Sequence, residues 1–278
     1  MSIAVSDARA IEIANQGLQN NPFVAWNNLG ASATLGGTAV IAGGEEANAV
    51  TGSTYDKWRP VAGGTTRTLT FDLGAVASVG FASIAAHNAF TLGASVVVER
   101  SADNVTWIDS GAGSITPTDN SPMAWRFALT SARYWRFVFS GIATDGLLAV
   151  GVAFIGAELI IPERMYQGFS PVLTPTEVQL QSNVSIGNEL LGTSIIGRGA
   201  TLSASLTYIP SAFIRGADWL SFQTSFGEGK GFLFAWRPAK YPEDLHYCSR
   251  ESGVIRPSNT GPRDLMDINF SARVYANG

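Results

Sequence analysis

Along the first 160 residues, apolar side chains recur mainly at every second position, the spacing of a strand with one buried face. In residues 66–73 (TRTLTFDL), Leu69, Phe71 and Leu73 share a face. Residues 80–86, 94–100 (ASVVVER), 125–129, 134–139 (YWRFVF) and 150–159 are further β-branched or aromatic runs bounded by turn residues, and each predicts a strand. No amphipathic helix separates them, which points to an antiparallel sandwich and away from a βαβ fold. A short helix is predicted ahead of them over residues 6–15 (SDARAIEIAN), with Ser6 or Asp7 as its cap and Ile11 on one face.

Ile161-Pro162-Glu163-Arg164 reads as a linker, since Pro162 cannot continue a central strand. Strand patterns resume at 179–186, 200–209 (ATLSASLTYI), 231–236 (GFLFAW) and 267–275 (DINFSARVY). Between them one helix is predicted over 211–226. Ser211 caps it, Phe213, Ala217 and Leu220 fall at i, i+4 and i+7, and Gly227 stops it. The expected architecture is mainly β, with two β-sandwich domains at 1–160 and 161–278, the second flanked by the single helix.

Composition changes this picture in two ways. Charged residues are only 14% of the 278, against roughly 25% in an average soluble domain, and three of the 18 basic residues are lysine. A surface so poor in charge suits a protein covered by partners better than a free monomer. A net charge of −4 excludes a protein drawn to nucleic acid by a basic face. The single Cys248 excludes a disulfide framework within the chain and a multi-cysteine metal site. The start of the chain lacks the basic and apolar segments of a secretory signal. Residues 73–98 carry no charge but are broken by Ser78, Gly80, Asn88 and Gly93, and residues 147–157 are too short to span a bilayer. The expectation is a soluble protein made in the cytoplasm, without membrane insertion and without a cofactor.

Catalytic patterns are few. His246 and Cys248 are two residues apart, on one face of a strand. They supply half of a metal site and lie about 6–7 Å apart, too far for a thiol–imidazole pair. No G-x-S-x-G elbow and no phosphate-binding G-x-x-x-x-G-K-[ST] loop occurs, and residues 227–231 (GEGKG) follow a helix instead of preceding one, so they read as a turn. Asp103, Asp109, Asp119 and Asp145 fall in turns, where Asp serves the backbone; a carboxylate pair for glycoside hydrolysis stays open, because such pairing is spatial. No catalytic residue and no metal ligand is assigned, and the chain is expected not to be an enzyme. Trp107, Trp125 and Trp135 lie in or beside strands and are assigned to the core. Trp26, Tyr55 and Trp58 fall in loop-like stretches, where a flat ring stacks on a sugar, although Trp58 also suits a structural role.

Five segments in order resemble the discoidin, or coagulation-factor type C, family. They are 48–58 (NAVTGSTYDKW), 70–74 (TFDLG), 101–107 (SADNVTW), 132–136 (ARYWR) and the closing strand at 152–159. Asn104 stands where the family has Gly, and Thr51-Gly52 where it has Asp-Gly, which weakens any inference of a ligand or calcium loop there. The resemblance implies a galactose-binding-like jelly roll over about 20–160. Residues 84–90 and 93–98 look like a variant found in structural proteins of tailed phages. His87 and Asn88 would then lie at a ligand or partner face; alternatively Asn88 bonds its own turn and His87 packs beside it. The second half is similar to tail-tip and distal-tail proteins of long-tailed phages, through residues 198–208, the helix, 231–236 and 238–242.

Together these resemblances imply a virion structural component of the distal tail or baseplate. Its partners would be copies of itself, neighbouring tail proteins and host-surface polysaccharide. The alternative is a carbohydrate-binding adhesion protein acting through Trp26, Tyr55, Trp58, His87 and Asn88. A hydrolase with an attached binding module ranks third.

Overall fold

In a computed structural model, which describes residues 2–165, 169–173, 177–260 and 263–275, most of the apolar runs are strands. The first half contains β1 (Ile3–Val5), α1 (Asp7–Asn15), β2 (Phe23–Ala25), β3 (Thr34–Gly37), β4 (Thr66–His87), β5 (Ser95–Ser101), β6 (Ile108–Asp109), β7 (Met123–Ser140), β8 (Val150–Gly156) and β9 (Leu159–Ile160). β4 and β7, at 22 and 18 residues, are long enough to serve two layers each. In layer one, ordered β3-β4-β7-β5-β6, Leu69 pairs with Phe137 and Phe71 with Trp135. In layer two, ordered β1-β7-β4-β8, Ala82 lies between Trp125 and Ile155. The register shifts after Asp72 and again after Val79 mark the bend between layers, and Gly74 at φ 75° begins it. The runs at 66–73 and 80–86 are therefore one bent strand, as are 125–129 and 134–139.

Between the layers lies a core containing Trp58, Phe71, Val98, Trp125, Trp135, Phe137 and Phe139, all fully buried. Trp107 does not join it. It is half-buried on the outside, with the Arg136 guanidinium 4.1 Å above its ring. Ser6 caps α1 by accepting from the Arg9 amide, and the buried residue of that helix is Ile13, not Ile11. The two lie about 200° apart around a helix, so only one can face inward.

The second half contains β10 (Val178–Val184), β11 (Leu190–Arg198), β12 (Ala200–Pro210), α2 (Ser211–Ile214), α3 (Ala217–Gly227), β13 (Phe232–Ala235), β14 (Leu245–Ser252), β15 (Ser258–Asn259) and β16 (Leu265–Val274). Its main sheet runs β12-β16-β14-β13-β2-β9, so strands from before residue 160 complete it. Phe23 and Ala25 pair with Ala235 and Leu233, and β9 adds to the far side of β2. The segment after β9 is pinned as well: Ile161 is buried, and the Asn21 amide donates to the carbonyls of Ile161 and Pro162.

Alternation along β13 gives this sheet two covered faces. Phe232 and Phe234 face a core with Trp219, Phe222, Phe226 and Phe270, while Leu233 and Ala235 face Phe81, Val152 and Phe154 of layer two. The result is a stack of three β layers and one helical layer. The helix expected over 211–226 is two helices, because Gly216 adopts an extended conformation at the N-cap of α3 and resets the phase. Its inward residues are consequently Trp219, Phe222 and Phe226, while Ala217 and Leu220 face solvent.

Candidate functional site

Where α3 leans over the open side of layer two, a cleft of about 730 Å³ forms, a size typical of small-ligand sites. Trp26, Asn27 and Asn28, which leave β2, make one wall, and Leu220, Ser221, Thr224 and Glu228 on α3 make the other. Val152 and Phe154 of β8 and Tyr247 of β14 lie beneath, with Thr51 and Gly52 at the rim. Trp26 is half-exposed and fixed in place. Its Nε1 donates to Ser221 Oγ at 3.2 Å, and its ring meets Phe222 edge-on at 5.6 Å. The Asn28 side chain is held in place, donating once to Ala153 O and accepting from the Gly30 and Ile155 amides. Charge in the cleft is confined to Glu228 and Lys230, which pair with each other at 2.7 Å. What remains for a ligand is one rigid aromatic ring, the Asn27 amide and several hydroxyls.

Tyr247 ties the two halves of the chain together at this cleft. Its hydroxyl donates to the Gly52 carbonyl at 2.8 Å, and burial pushes its ionisation upward. Gly231 makes room for the ring, since a Cβ there would lie 1.9 Å from the Tyr247 hydroxyl.

The five residues singled out from the sequence are placed apart. Trp26 lines the cleft. Tyr55 is 87% exposed on the loop that starts at the cleft rim. Trp58 is fully buried, packed on Phe139, with its backbone exchanging two hydrogen bonds with Val150. His87 is also fully buried. Its Nδ1 accepts from the Ala89 amide, so Nε2 carries the proton and donates to Ser121 O at 3.0 Å. Burial holds this imidazole down at about 4. Asn88 clamps the 147–149 loop, donating to Leu147 O and accepting from the Ala149 amide. Sequence reasoning missed Asn27, Thr224 and Tyr247. The polar face of α3 was readable in Ser221 and Thr224, three apart, but nothing local reveals that Tyr247 meets Gly52.

Cys248 is fully buried with its thiol pushed up by desolvation, and the neighbouring His246 is lowered to about 4 by burial. Asp103, Asp109 and Asp119 accept from the amides of their own turns. Among the described residues no group of three His, Cys, Asp or Glu is placed to hold a metal ion. No described helix is long and apolar enough to cross a membrane.

No protein-family model and no curated protein matches this chain. Solved structures with a similar fold over just under half of this chain include carbohydrate-binding modules of the discoidin-like, galactose-binding-like type. A chitosan-binding module of the chitosanase/glucanase from Paenibacillus sp. IK-5, solved with chitotriose, shares 20% identity at a TM-score of 0.41, over 47% of this chain and 100% of that one. A module from Clostridium perfringens, solved with GalNAc-β-1,3-galactose, shares 13% identity at a TM-score of 0.41, over 47% and 100%. The module of AlyQ, solved with 4,5-unsaturated mannuronic acid, shares 19% identity at a TM-score of 0.37, over 47% and 95%.

Proposed function

We propose that this protein binds an uncharged oligosaccharide in the cleft between α3 and layer two, and does so without chemistry. The observation that carries this reading is Trp26, an indole locked by Ser221 and Phe222 in the wall of a cleft that combines apolar side chains with amide and hydroxyl groups and one Glu228–Lys230 pair. A rigid aromatic ring offers contact area at little entropic cost. With Glu228 and Lys230 neutralising each other, the cleft favours a ligand rich in hydroxyls over an ionic one.

The test is a glycan array with the full chain, including chito-oligosaccharides and galactose-terminated glycans, followed by calorimetry on the hits. Trp26→Ala is expected to weaken binding at least about tenfold, equivalent to about 1.4 kcal/mol, with the fold intact. Absence of any binding glycan, or binding unchanged in Trp26→Ala, overturns the reading.

A second reading, a structural subunit at the tail tip of a long-tailed phage, is supported by the low-charge, lysine-poor composition. Mass spectrometry of purified virions tests it, and absence of the chain from particles removes it.

A further inference from the structure

Outside the stacked layers, β10 and β11 pair with each other and, among the described residues, with no third strand. Two-stranded hairpins are marginal in water without a surface to pack on. Cross-strand partners share a face, and the register sorts this hairpin into two. Leu180 faces Ile195 and Val184 faces Leu190 on one side, with Ser182 and Thr193 between them. Gln181 faces Ser194 and Asn183 faces Gly192 on the other. All four aliphatic residues are more than half exposed, as are Leu191 and Ile196 at the two register shifts. Both outer edges present unpaired backbone groups, a template for another chain.

We propose that residues 178–198 are a self-association arm that packs its aliphatic face against the same hairpin of a second copy. The charges argue for a copy of this chain as the occupant. Between Val178 and Gly197 the only ionisable side chain is Glu189, near the turn, and the next is Arg198, at the base. Neither is in an ion pair among the described residues. Two hairpins packed antiparallel about a two-fold axis set Glu189 of each against Arg198 of the other, the self-complementarity that a symmetric dimer requires. A bilayer suits the arm less well. Its strands are 7 and 9 residues against the 9–11 of a membrane strand, hydroxyls interrupt its apolar face, and it carries no aromatic residue. This inference does not rest on glycan binding.

Sedimentation of the full chain across a concentration series reads the outcome, beside flotation with anionic and neutral phospholipid vesicles. The wild type is expected to dimerise, and Ile195→Asp to weaken the dimer at least tenfold with an unchanged circular dichroism spectrum, because Ile195 belongs to none of the three buried cores. Glu189→Arg alone is expected to weaken it several-fold, and Glu189→Arg with Arg198→Glu to restore it. Three results overturn the proposal: a wild type that stays monomeric, a dimer indifferent to Ile195→Asp, or vesicle binding that the substitution abolishes. Failure of the double reversal to restore the dimer overturns the two-fold arrangement. Glycan affinity of a single site is expected to be the same in all these variants, so loss of dimerisation and loss of ligand binding are read separately.

Discussion

Arg126 and Glu158 meet in a two-pronged ion pair, at 2.6 and 2.9 Å, with each side chain only 2% exposed. Arg9 of α1 joins from the other side at 2.7 Å, and the Arg126 guanidinium lies 4.7 Å from the centre of the Phe23 ring. The cluster thereby joins α1, layer two and the segment ahead of β9. Removing one partner of a buried pair strands the other charge, so Glu158→Ala is expected to lower unfolding free energy by about 3–5 kcal/mol. Arg126→Met with Glu158→Leu removes both charges and is expected to recover most of the loss. Urea denaturation of the three proteins checks this, and equal losses in the single and double variants would show that the pair is not what holds the region.

Acid is expected to destabilise the protein in two stages. In the native state His87 and His246 stay neutral until about pH 4, because burial disfavours the imidazolium, whereas in the unfolded chain they titrate near 6.5. Between those values the unfolded chain binds more protons, so stability falls as pH falls, by about 5 kcal/mol for the two groups together between pH 7 and 4.5. Asp244, whose carboxyl burial pushes upward, opposes this as one group against two. In the second stage, below the usual carboxylate range, Asp72 and Asp103 are protonated towards pH 2. There Asp72 loses the charged hydrogen bond to Arg133, and Asp103 loses those from the Thr106 and Val105 amides. Thermal melts from pH 7 to 4.5 test the first stage, and His87→Gln is expected to flatten the dependence.

Most strands of ordinary length were legible from local pattern, β11 and β14 being exceptions. β2 and β9 have three and two residues, too few for any periodicity, and their hydrogen-bond partners lie far along the chain. β11 escaped because Leu191 and Ile196 sit at register shifts that break the alternation a strand displays. Trp26 was readable as an aromatic in a loop, but the opposite wall of its cleft is α3, about 195 residues later. His87 and Asn88 look alike in sequence to residues at a face; their hydrogen bonds to Ser121 and Ala149 depend on loops 34 and 61 residues away.

Trp58 distinguishes a core indole from a ligand-binding one. It is fully buried against Phe139, and its Nε1 has no hydrogen-bond partner among the described residues. Trp58→Ala is expected to lower stability by about 3–5 kcal/mol through the cavity it leaves. Trp58→Phe is expected to lose much less, since no hydrogen bond goes with the indole nitrogen. Chemical denaturation of both variants, beside Trp26→Ala, provides the comparison, and a Trp58→Ala protein as stable as wild type would contradict the packing described.

The junction at Tyr247 gives the most local prediction. Tyr247→Phe removes only the hydroxyl that donates to Gly52, and is expected to lower stability by about 1 kcal/mol while speeding amide hydrogen exchange across residues 51–57. Gly231→Ala acts on the same ring from below. The added Cβ would come within 1.9 Å of the hydroxyl and 2.4 Å of the ring carbon bearing it, so the ring must move and the cleft floor moves with it. A loss larger than that of Tyr247→Phe is therefore expected, about 1–3 kcal/mol from overpacking, together with weaker glycan binding. Combining the two substitutions separates the effects. If displacement of the ring is what matters, Tyr247→Phe with Gly231→Ala remains as destabilised as Gly231→Ala alone, because a phenylalanine ring meets the same Cβ. Tyr247→Ala with Gly231→Ala, which removes the ring, is expected to be no less stable than Tyr247→Ala, and any further loss in that pair would refute the steric account.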